Sequence, residues 1–196
     1  NVDGTCTNNA TTTVSAALGG GGSLTQGSSA TLNLTNLVTL TNLDASAAGN
    51  TVNYNGGDQT VRAMNHVNLT LSGSGTKILS GGTTTGISGN FVISGVTVNA
   101  ITNSSTVNYN GGGNQTIAAL GYYNLSLSNA GTKTFPTGTT SIAGARSVAG
   151  ATADATTNNT TIDFNGTGAQ TVGTLNYNNL AISGDKSAQT VTLASG

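Results

Sequence analysis

Residues 51–61 read TVNYNGGDQTV, and the stretch returns twice, as TVNYNGGGNQTI from Thr106 and as TIDFNGTGAQTV from Thr161. The three starts are evenly spaced and define a 55-residue repeat. Downstream, HVNLTLSGSGTK from His66 is answered by YYNLSLSNAGTK from Tyr122 and YNNLAISGDK from Tyr177. The weaker half keeps register too, since Leu32, Ile87 and Ile142 are one repeat apart, as are Val38, Ile93 and Val148. Residues 32–196 therefore divide into three repeats, 32–86, 87–141 and 142–196. Residues 1–31 read as a decayed partial copy or extension, with Asp3-Gly4-Thr5-Cys6 lying one repeat before Asp58-Gln59-Thr60-Val61. Repetition of this kind marks an array whose units bury their apolar faces against their neighbours.

Inside a repeat the apolar period is two. Val52 and Tyr54 share one face, and Thr51, Asn53 and Asn55 share the other. Val67, Leu69 and Leu71 alternate with Asn68 and Thr70. That is strand patterning, and Gly, Ser and Asn punctuate the runs as turns require. Two all-β architectures fit. In a parallel β-solenoid the steps Val52–Val67–Ile87–Val107 would give three coils per repeat. In an antiparallel sandwich Asn55-Gly56 and Asn110-Gly111 would be hairpin turns, with strand exchange between subunits. Sharing of a core favours the solenoid, because a lone repeat with few large apolar residues could hardly fold. Register kept over three copies points the same way, since a one-residue slip turns the apolar face outward.

TVNYNGGDQTV followed by NLTLSGSGTK resembles the Gly/Thr/Asn-rich repeats of secreted bacterial surface proteins, which include adhesin-like and autotransporter-like β-helical stalks. The resemblance covers most of residues 32–196. It implies a β-rich structural or adhesive protein, secreted, at the cell surface or outside it. It carries over no catalytic residue.

Composition narrows the classes. Thr, Ser, Asn and Gly make up 109 of 196 residues, while charged residues are 6 %. Five scattered bases and a net charge of −1 cannot track a phosphate backbone. One Cys and one His cannot build a zinc site or an internal disulfide. No apolar run approaches the length of a membrane-spanning helix. An N-terminal Asn without Met suggests a trimmed, secreted chain.

No residue set points to catalysis, a cofactor or a metal. Asp44 and Asp154 are two repeats apart, which in the three-coil reading separates them by nearly 30 Å at about 4.8 Å per coil; glycoside hydrolysis needs about 5–10 Å. Asp163 replaces Asn53 and Asn108, and Asp58 replaces Asn114, as interchangeable polar positions do. Cys6 aligns with Val61, Ile117 and Val172 and reads as a small buried hydrophobe. His66 aligns with Tyr122 and Tyr177 and reads as packing at a coil corner. Asn55, Asn110 and Asn165, with Gln59, Gln115 and Gln170, suggest polar ladders along a rod.

The functional expectation is a structural subunit of an extracellular filament, with the chain itself as partner, joined through open β edges. Val14, Ala16 and Leu18 could form an exchanging arm within residues 1–18, hinged at Gly19–Gly22. The alternative is an adhesin stalk or binding module that takes surface glycans or ice. Against ice, Thr51, Thr106 and Thr161 recur only once per repeat, which makes a sparse array.

Overall fold

The computed structural model describes residues 1–187 and 189–194. Those residues form short β-strands and no helix. Compactness divides the chain into two units, Asn1–Ser80 with Ile87–Asn99, and Gly81–Gly86 with Ala100–Gly196.

In the first unit Thr11–Val14, Thr31–Leu34, Thr51–Tyr54, Asn68–Leu71 and Phe91–Ile93 make one five-stranded parallel sheet. Thr11, Thr31, Thr51 and Asn68 are partners along it, each one coil after the last. A second parallel sheet joins Thr5–Asn8, Ser23–Gln26 and Asn42–Asp44. A third joins Gln59–Val61, Thr76–Leu79 and Thr97–Asn99. The chain visits the sheets in turn and returns to each one coil later, which is a parallel β-solenoid.

The second unit is built alike. Thr106–Tyr109, Asn124–Ser128 and Arg146–Ala149 pair in parallel, as do Gln115–Thr116, Thr132–Thr134 and Thr152–Asp154. Thr139–Ile142, Thr161–Phe164 and Asn179–Ile182 form another sheet, and Gln170–Val172 pairs with Val191–Leu193.

Period-two alternation puts the core in columns. Leu32, Val52, Leu69 and Phe91 stack on one another, and beside them stand Leu34, Tyr54, Leu71 and Ile93. Leu32, Leu34, Val52, Tyr54, Leu69 and Leu71 are all fully buried. Each such side chain contributes about 1.5–3 kcal/mol.

The paired strands run parallel, so Asn55-Gly56 is a corner between two faces and not a hairpin turn. The corner is tight, because a Cβ on Gly56 would stand 2.0 Å from the Thr35 carbonyl oxygen. The repeat also differs from the expected three coils. Val107, Leu125 and Arg146 lie one above the next in one sheet. Ile162, one repeat after Val107, sits in a different sheet, between Thr140 and Leu180. It follows Arg146 too closely in the chain for a further coil to intervene. A repeat is thus two coils and part of a third, and its copies fall on different faces.

Cys6 departs from its expected burial. It is in inward register, paired with Leu24, yet it is exposed. Thr5–Asn8 is the outermost strand of its sheet, so nothing in the sheet covers its far side.

Candidate functional site

The glutamines singled out in the sequence are interior braces. Gln59, Gln115 and Gln170 are buried, and each turns its Oε1 to accept from a corner amide: Gly56 at 2.8 Å, Gly111 at 2.9 Å and Gly166 at 3.0 Å. Gln59 Nε2 donates to the carbonyls of Leu34 and Asn36 in the coil before, and Gln170 Nε2 to those of Ile142 and Gly144. They do not stack on one another. Gln59 pairs with Lys77 and Gln115 with Lys133, whereas Gln170 lies in the sheet of Val191. Asn55 and Asn165 hold the residue before their corners, hydrogen-bonded through the main chain to Leu34 and Ile142. Asn110 offers its carbonyl to Asn129 Nδ2 at 2.6 Å.

Sequence reasoning passed over the lysines. Lys77 and Lys133 are fully buried. The Lys77 ammonium donates to the carbonyls of Gly56 at 2.7 Å and Gly57 at 2.5 Å and to Gln59 Oε1 at 2.9 Å. Lys133 donates to the carbonyls of Gly111 at 2.7 Å, Gly113 at 2.9 Å and Ala130 at 3.1 Å. Lys186 reaches Gly166 O and Gln170 Oε1. Each repeat therefore plugs a corner with a lysine from the next coil. Burial lowers the pKa of Lys77, opposed by the nearby Asp58 carboxylate, and burial lowers that of Lys133. Their recurrence at one repeat position was the available signal.

The aspartates serve turns and coil-to-coil hydrogen bonds. Asp154 Oδ1 accepts from the amides of Thr156 and Thr157, and these hydrogen bonds, those of Thr157 foremost, hold its pKa down at about 2. Asp44 Oδ1 accepts from Ser46 N at 3.0 Å. Asp58 and Asn114 each accept from the main chain of the next coil, at Thr76 and Thr132. Asn53, Asn108 and Asp163 each accept from a serine hydroxyl one coil on, at 2.9–3.0 Å from Ser72, Ser128 and Ser183. Among the described residues no group of three His, Cys, Asp or Glu could hold a metal.

His66 is buried and bridges to Ala45. Desolvation pushes its pKa down to about 4, against a smaller opposing effect of the Arg62 backbone. At the matching position Tyr122 is buried, with its hydroxyl 2.9 Å from that of Tyr109.

The amino-terminal segment is a coil of its own solenoid. Val14 pairs with Leu34, Leu18 is buried and bridges to Val38, and Ala16 is exposed. Within Gly19–Gly22, a Cβ on Gly20 or Gly22 would meet the carbonyl oxygen of Val2 or Gly4 at 2.2 or 2.1 Å, while Gly21 has open space.

The second unit shows an open core face. Leu180, Ile182 and Leu193 occupy inward register beneath Ile162, Phe164 and Val172. They are 41 %, 44 % and 68 % exposed, whereas the preceding Ile162 and Phe164 are 0 %. Among the described residues their strands are the outermost of their sheets. Beside them is a groove of about 750 Å³ lined by Val148, Leu175, Tyr177, Leu180 and Leu193, among others.

No family model, curated protein or solved structure matches this chain. No helix among the described residues is long and apolar enough to cross a membrane.

Proposed function

We propose that this chain is a structural subunit of a bacterial extracellular or cell-surface filament, in which copies join end to end by extending their parallel ladders. The observation that carries the reading is the open core face of the second unit. Leu180, Ile182 and Leu193 are apolar, in inward register and exposed, on strands whose outer edge has no partner among the described residues. Such an edge is a template for another strand. Covering a side chain of this size contributes about 1.5–3 kcal/mol. A head-to-tail contact between unlike surfaces propagates as an open filament unless it closes into a ring. Low net charge offers little repulsion against association. The secreted, bacterial setting rests on the resemblance of the repeat.

Light scattering over a concentration series tests the reading, with wild type beside Leu180→Asp/Ile182→Asp. The expected result is growing polymers of wild type and a monomeric variant that keeps its β circular dichroism. Wild type that stays at 19.1 kDa at every concentration would overturn it.

A further inference from the structure

The outer face of the five-stranded sheet in the first unit carries Thr11 and Thr13, Thr31 and Asn33, Thr51 and Asn53, then Asn68 and Thr70, on successive strands. Pairing runs residue by residue through these four strands, and on the fifth Val92 follows Thr70, so these side chains form two aligned columns. Parallel strands lie about 4.8 Å apart and alternate residues of one strand about 6.7 Å apart. The outward groups therefore repeat on a near-rectangular lattice.

One column is locked in place. Asn33 Nδ2 donates to Thr13 Oγ1 at 3.3 Å, Asn53 Nδ2 to Asn33 Oδ1 at 3.0 Å, and Ser72 Oγ to Asn53 Oδ1 at 2.9 Å. Rotamers fixed beforehand need not be ordered on binding. In the other column the hydroxyls of Thr11, Thr31 and Thr51 make no hydrogen bond to another described residue and remain available to a ligand. None of the eight residues is charged and none is aromatic.

We propose that this face binds ice. An ice surface is an uncharged lattice of water donors and acceptors, and the in-plane repeats of its prism faces are close to the two spacings of the columns. Threonine suits the task because its hydroxyl can continue a row of lattice water while its methyl group excludes disordered water. Neutrality of the face matches a neutral partner. A crystalline polysaccharide would call for exposed rings, and this face has none. The once-per-repeat spacing that argued against ice is not the spacing of this surface, on which threonines recur at 11, 31 and 51.

Thermal hysteresis and inhibition of ice recrystallisation, measured on the full 196-residue chain, test the proposal. Light scattering on the same samples records polymer state, so that failure of the filament reading is seen separately. Wild type should shape ice and hold a freezing-point gap. Thr31→Tyr/Thr51→Tyr, with β circular dichroism retained, should lose at least four-fifths of that gap. The control Ser126→Tyr/Ser147→Tyr, on outward positions of another sheet, should retain it. Folded wild type without activity, equal loss in both variants, or binding to crystalline chitin or cellulose without any effect on ice would each overturn the proposal.

Discussion

His66 is a residue whose protonation opposes folding. Its ring titrates near 4 in the folded chain and near 6.5 when unfolded, because burial disfavours the charged form. The unfolded chain therefore binds more protons between those values. Stability is fully present above pH 6.5 and is lost as the pH falls toward 4, by up to about 3 kcal/mol at 1.36 kcal/mol per pKa unit. Thermal unfolding at pH 7 and pH 4 should show this loss, and His66→Tyr, which installs the residue found at the matching positions 122 and 177, should shrink it. An unchanged pH dependence in that variant would contradict the assignment. Lys133 shows the same sense, since burial lowers its pKa too, yet its ammonium is held by three carbonyls. Lys133→Ala leaves the Gly111, Gly113 and Ala130 carbonyls without their donor, and urea unfolding should register a loss of about 2–4 kcal/mol. At this scale the sequence was informative about kind and less so about partner. It marked Gln59, Gln115 and Gln170 as special, but their partners are corner amides, lysines and main-chain carbonyls, because like positions of successive repeats do not lie on top of one another.

Strands and corners were legible for a simple reason: alternation in TVNYN and NLTLS has only one buried face to offer. The coil period was harder to see. Near-identity marks copies one repeat apart, while hydrogen bonding links positions one coil apart, as from Leu32 to Val52 and from Val52 to Leu69. The correct signal was present in the match between Thr31-Leu32-Asn33-Leu34 and Thr51-Val52-Asn53-Tyr54, which are ladder partners throughout. Corners supply a test at the same scale. Gly56→Ala drives a Cβ against the Thr35 carbonyl and should cost about 1–3 kcal/mol. Gly57→Ala, where nothing lies within 4 Å, should be close to neutral. Equal effects of the two substitutions in urea unfolding would contradict the close approach of the coils.

For the molecule as a whole, the sequence pointed to a solenoid through core sharing, and the parallel ladders bear that out. Its expectation of an exchanging arm came from alternation in Val14, Ala16 and Leu18. That same alternation suits a first coil, which is where the chain places them. The open face at Leu180, Ile182 and Leu193 was not legible, since Leu180 and Ile182 look like their buried counterparts Leu69 and Leu71. What sets them apart is the absence, among the described residues, of a further strand on their side of the sheet, which no local pattern records. End-to-end association through that face is decided by electron microscopy of the purified chain. Unbranched filaments with a regular axial repeat are expected. Discrete, uniform particles of single-chain size would contradict it.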